Sequence, residues 1–287
     1  MKLYNTFSRV GFAGLILLSM LVGLLAASSI TAGVLCAPTV VFMSDAGRTG
    51  RLDIQNTANE PTEVSIRFSW GLPESDSIGN VYVNLVDSGV TDPRSALDWI
   101  KAFPRKIVLP PNGSQVVRIV ARPPDSLPDG EYWARIVVTS RAGKTELPSP
   151  TGNEEISTTL NMVLQTALML KYRSGECVAQ LEMTSADADL FEDSVAVIVG
   201  MRSTGNTSYM GRMHARLFDS DHRLIGEAGT EMAVYRSLKR RLIIPTAPAE
   251  HKRPFSIEVS ISSEGRTDVA AKYMIAGNQL SHTLALE

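Results

Sequence analysis

Cysteine is nearly missing from this 287-residue chain, which has only Cys36 and Cys177. A disulfide scaffold is thereby excluded, as is any multi-cysteine zinc or iron–sulfur site. Charge of one sign is also missing. The 28 basic and 30 acidic residues leave a formal net charge of −2, too weak a field to recruit nucleic acid or an anionic membrane. Helical periodicity is nearly absent, and there is neither a low-complexity linker nor an internal repeat. No Gly-x-Ser-x-Gly elbow, phosphate-cradling glycine loop or His-Glu-x-x-His occurs. His214, His222, His251 and His282 all lie in the second half without metal-ligand spacing. Cys177 reads as a lone buried thiol. Asp187, Asp189, Glu192 and Asp193 read as a solvated loop, since a calcium loop of the EF-hand type would need a glycine that is not there. The expectation is a non-enzyme with no cofactor and no metal.

What is present suits a folded protein of about two domains: 44% of residues are hydrophobic and 20% charged. One apolar run, Val10 to Ala27, follows Lys2 and Arg9 and precedes a small-residue stretch ending at Ala37. Residues 1–37 therefore read as a secretory signal cut somewhere between Ala27 and Ala37. An uncleaved single membrane anchor is the rival reading, because no charge falls between Arg9 and Asp45.

Strand signals dominate the rest. In Thr62 to Trp70 the apolar Val64, Ile66, Phe68 and Trp70 alternate with polar residues, as a half-buried antiparallel strand requires. Leu109-Pro110-Pro111-Asn112-Gly113 reads as a turn before a strand from Gln115 to Ala121. After the turn at Asp129-Gly130, Tyr132, Ala134, Ile136 and Val138 share one face and Trp133 and Arg135 the other. The spacing is that of a β-sandwich.

From Ile156 to Tyr172 the even positions are Ile156, Thr158, Leu160, Met162, Leu164, Thr166, Leu168, Leu170 and Tyr172. Roughly seventeen residues at about 3.3 Å each would make a strand more than about 50 Å long, well beyond the usual length. Such a strand either joins two domains or leaves an apolar row for something else to pair with. A second β set follows Arg173-Ser174-Gly175, which marks the boundary between a domain at 38–173 and another at 174–287. Its rows are Val195, Val197, Val199, Met201; Met213, Ala215, Leu217; and Phe255, Ile257, Val259, Ile261. Val269 to Ile275 is expected to close a hairpin on the last of these. The basic run Arg236, Lys239, Arg240, Arg241 reads as a guard on a sheet edge, or as a patch for an acidic partner.

Taken in order, several of these segments resemble the periplasmic chaperones of the pilus chaperone-usher pathway. They are Arg51 to Asn56, Pro61 to Trp70, Leu109 to Ile119, Leu127-Pro128-Asp129-Gly130-Glu131-Tyr132, and Leu164-Gln165-Thr166 through Arg173. The resemblance covers about Pro38 to Arg173. It implies two immunoglobulin-like β-sandwiches in the periplasm that cap fimbrial subunits by lending the seventh strand, for delivery to an outer-membrane usher. In that register the lent side chains would be Thr158, Leu160, Met162 and Leu164. The family's two client-anchoring cations fall at Thr39 and Met169, neither of which can serve. Lys171 and Arg173 are the candidates to replace them, or else are solvated cations at the interdomain cleft. Pairing of two unoccupied donor strands would give a self-capping dimer. The competing reading is a structural or adhesive envelope protein whose long strand merely joins its domains.

Overall fold

The computed structural model describes residues 33–142 and 163–286. The first sandwich holds β1 (Val34–Ala37), β2 (Val40–Ser44), β3 (Thr49–Asn56), β4 (Thr62–Ser69), β5 (Pro73–Ser75), β6 (Val81–Val83), β7 (Ile100–Phe103), β8 (Lys106–Leu109), β9 (Ser114–Ala121), β10 (Gly130–Ala142) and β11 (Val163–Ser174). One sheet runs β1-β3-β9-β7 and the facing sheet β2-β11-β10-β4-β8, with β5 and β6 as a separate ribbon. Alternation puts one row of each strand between the sheets. Leu52, Ile54, Val64, Ile66, Val117, Ile119, Tyr132, Ile136, Leu170 and Tyr172 are all in this core, each contributing about 1.5–3 kcal/mol by leaving water. Buried Asn56 closes the far end: its amide donates to the carbonyls of Glu60, Leu109 and Pro110, and its oxygen accepts from Thr62 and the Ala58 amide.

Two expectations for this half need correction. The fold does not wait for Pro38, because β1 is a paired strand, Val34 opposite Asn56, with Val34 buried. Trp70 does not extend the Val64, Ile66, Phe68 row. The strand ends at Ser69, and Trp70 packs instead with Trp133 on the other face.

The second sandwich holds β12 (Leu181–Leu190), β13 (Ser194–Ser203), β14 (Tyr209–Phe218), β15 (Leu224–Val234), β16 (Ser237–Pro245), β17 (Phe255–Ser262) and β18 (Leu280–Leu286). Its sheets run β12-β13-β16 and β15-β14-β17-β18. The rows expected from the sequence on β13, β14 and β17 all point into one core, which is separate from that of the first sandwich. Val269 to Ile275 is not the partner of β17; β18 is. That segment leaves the sheet because Tyr273 lies flat on Phe42 of the first sandwich, ring centroids 4.5 Å apart. Asp187 and Asp189 are likewise on β12 rather than in a loop. Among the described residues no group of His, Cys, Asp and Glu is placed to hold a metal, and no helix is long and apolar enough to cross a membrane.

Candidate functional site: an open strand edge above a buried charge cluster

The candidate site residues that the structure describes lie on β11. Along its whole length it pairs with β10, from Val163 opposite Arg141 to Ser174 opposite Gly130. Its other edge is paired only from Met169 to Arg173, where β2 runs parallel to it. From Val163 to Leu168 that edge meets no strand among the described residues. No charged residue occurs there to repel an incoming strand. Val163 is 50% exposed and Leu164 42%. The even-numbered row that ends in buried Leu168, Leu170 and Tyr172 thus surfaces at Leu164. Of the side chains expected to be lent, Leu164 is the one described; Thr158, Leu160 and Met162 lie outside the described residues.

The odd-numbered row of the same strand runs into a buried polar cluster between the domains. Glu131 and Lys171 are 0% and 1% exposed. One carboxylate oxygen of Glu131 accepts from Lys171 Nζ at 2.9 Å, Trp133 Nε1 at 2.7 Å and Ser208 Oγ at 2.5 Å. The other accepts from Arg173 Nε at 3.0 Å. Lys171 Nζ also donates to Ser208 Oγ and sits 4.5 Å from the Tyr235 ring centre. Desolvation opposes the Glu131 charge, but Lys171, Arg173 and the donated hydrogen bonds outweigh it and hold the carboxyl down at about 2. A carboxylate so satisfied stays ionised at any physiological pH.

Strand pairing explains how these groups meet. In β10 and β11, Glu131 lies opposite Arg173 and Trp133 opposite Lys171, so side chains two residues apart on each strand share one face. The second domain supplies Ser208 and Tyr235. Asp45 fixes the end of β11 by accepting from Tyr172 Oη, Ser174 Oγ and the Gly175 amide. Of the two candidate cations, Lys171 is therefore not a solvated cation, because burial and two intramolecular partners enclose it. Arg173 is 15% exposed, gives Nη1 to the Tyr273 carbonyl at 2.7 Å, and keeps Nη2 without a partner. Thr39 is exposed and Met169 buried against Trp133 and Tyr235. Glu131, Ser208, Tyr235, Phe42 and Tyr273 were not singled out from the sequence. The available signal was two acceptor or aromatic residues at odd positions of β10 facing two cations at odd positions of β11.

No family model and no curated sequence matches the chain. Solved structures of similar arrangement do exist. Their descriptions name chaperones, one of them in complex with a pilin. The Pseudomonas aeruginosa CupB2 chaperone is 13% identical, with 88% of this chain and 100% of that one covered and a TM-score of 0.40. A Salmonella enterica SafA pilin–SafB chaperone structure is 14% identical over 90% and 99% of the two chains, TM-score 0.41. The E. coli chaperone DraB is 12% identical over 87% and 95%, TM-score 0.39.

Proposed function

We propose that this protein is a periplasmic chaperone that holds exported fimbrial subunits by lending the open edge of β11 to a sandwich lacking a strand. The observation that carries the reading is the one-sided pairing of Val163 to Leu168. An apolar, uncharged, half-paired strand is what β-augmentation needs: backbone groups fix the register and alternate side chains fill the partner's groove. Thr158, Leu160, Met162 and Leu164 are the side chains that would enter it, and the aliphatic ones are worth about 1.5–3 kcal/mol each when buried. Binding would require no covalent step. Release to an outer-membrane usher belongs to the same reading, as does a self-capped dimer in which two copies pair their open edges.

For the client's terminal carboxylate, Arg173 is the better of the two candidate anchors, since it is 15% exposed against 1% for Lys171; its spare donor Nη2 is itself buried, so anchoring requires the guanidinium to turn outward. A signal cleavage that spares the fold would fall ahead of Val34, within the stretch beginning at Ala27, because β1 is already part of the first sheet.

Co-purification under export conditions tests the proposal. A small β-rich subunit should come down with the protein, and Leu160→Asp combined with Leu164→Asp should abolish that while the circular dichroism spectrum stays native. Retention of the client by the double variant would reject the lent strand and favour the structural or adhesive envelope reading.

A further inference from the structure

The β5–β6 ribbon belongs by sequence to the first sandwich, yet its tip lies on the second. Pro73, Glu74 and Ser75 pair with Val83, Tyr82 and Val81. The turn between them is organised by Asp76, which accepts from the Ile78 amide at 3.1 Å and from the Asn80 amide and side chain at 2.8 Å each. The root is tied to β10 by Arg135, whose Nε donates to the Gly71 carbonyl at 2.8 Å.

The ribbon's target is an edge. In its sheet β16 pairs with β13 alone, so on its other side every second N–H points away from that sheet. Two of those groups are taken by the ribbon. The Lys239 amide donates to Ser75 Oγ at 2.7 Å, and the Arg241 amide to the Gly79 carbonyl at 3.2 Å. Gly79 has φ +81°, and a Cβ built on it would lie 2.7 Å from the Arg241 nitrogen. That approach excludes any side chain. Val81 packs against the core of the second sandwich. Next to the ribbon, Arg236 pairs with Asp92 across the same boundary.

Contact at one place between two bodies is a pivot, whereas a further contact well away from it removes the free rotation. The Glu131 cluster is the first contact. The Phe42–Tyr273 stack adjoins it, because Arg173 bonds both Glu131 and the Tyr273 carbonyl. The ribbon is the distant contact, rooted beside Arg135, which lies about 13 Å along β10 from Glu131. We propose that the β5–β6 ribbon is a strap that closes the free edge of β16 and, by doing so, fixes the angle between the two sandwiches. The strap stands on contacts within this chain and does not depend on whether β11 ever holds a client.

Two variants of the full chain test it. Gly79→Val drives a side chain into the Arg241 backbone, and Val81→Asp makes docking on the second core unfavourable without touching the turn. In each, hydrogen exchange of the Lys239 and Arg241 amides should quicken by about tenfold or more while those of Val197 and Val199 in β13 keep their protection. Residual dipolar couplings should report one common alignment of both sandwiches in the parent and two different ones in the variants. Unchanged exchange at Lys239 and Arg241 in both variants would overturn the strap. Faster exchange with the common alignment retained would overturn its control of the angle.

Discussion

The two halves of β11 are one strand with opposite fates. From Met169 to Arg173 the strand has a neighbour on each side, and Leu170 and Tyr172 are fully buried. From Val163 to Leu168 the same alternation continues, but one edge meets no strand among the described residues, and as far as Ala167 the side chains are partly or largely in solvent. Apolar character does not separate the halves; the reach of β2 does. A hydrophobic row is core only where a second sheet edge or a partner covers it, so the same residue type is structural at Leu170 and available at Leu164. The edge of β16 makes the contrast sharper. It too lacks a second strand among the described residues, but Lys239, Arg240 and Arg241 guard it and the β5–β6 strap covers it, whereas the open half of β11 carries no charge and pairs with no second strand among the described residues.

Substitutions that treat the halves alike would break this comparison. Lys171→Met should have the largest effect, destabilising the fold by about 3–5 kcal/mol because Glu131 is left charged and buried without its nearest cation. Urea denaturation measures it, and a loss below about 1 kcal/mol would mean that Arg173 and Ser208 suffice. Leu170→Ala should cost about 2–5 kcal/mol by opening a cavity in the first core. Leu164→Ala should stay within about 1 kcal/mol in the same assay, so equal costs would show that the far half is covered after all.

Acid titration sharpens the point electrostatically. The Glu131 carboxyl is held at about 2 in the fold against an ordinary 4.5. A depressed carboxyl contributes its full stabilisation above the ordinary value and loses it as pH falls from there through the folded value. About 3 kcal/mol should disappear between those limits in the parent, and Glu131→Gln should flatten that stretch of the stability–pH curve. An unaltered curve would mean that other carboxylates dominate. The smallest effect concerns the anchor. A donor-groove client whose C-terminus is amidated should bind several-fold more weakly than the free acid, and Arg173→Gln should remove the difference. A difference that persists in Arg173→Gln would take Arg173 out of the site.

Much of the fold was legible because period-two alternation is a local property. The rows on β10, β13, β14 and β17 read directly from residue type, and the turn at Pro110 to Gly113 from its backbone chemistry. Strands β12, β15 and β16 escaped because edge strands carry charges among their apolar positions, as Asp187, Asp189, Glu227 and Arg241 do, which blurs the alternation. Val269 to Ile275 differs for the opposite reason: its apolar residues suit a strand but are used outside the sheet, with Val269 buried, Tyr273 stacked on Phe42 of the first sandwich and Ile275 packed on the second core. The candidate site was half legible. Lys171 and Arg173 are cations that the sequence places near the cleft, but nothing local to Glu131 marks it as their shared counter-ion, because the pairing of β10 with β11 is what brings them together.

What the sequence by itself determined was which side of each strand is oily, where the chain turns, and that one apolar alternation is longer than a single sandwich uses. These follow from neighbours a few residues apart, which set backbone geometry and face. Only the tertiary structure decided which stretch of β11 is paired on both edges by described strands, that Lys171 is sealed against Glu131 and Ser208, and that a ribbon from one domain closes the edge of the other. Each of those outcomes depends on groups far apart in the chain arriving within hydrogen-bond distance, and desolvation, which turns a surface charge into a buried lock, exists only once they have arrived.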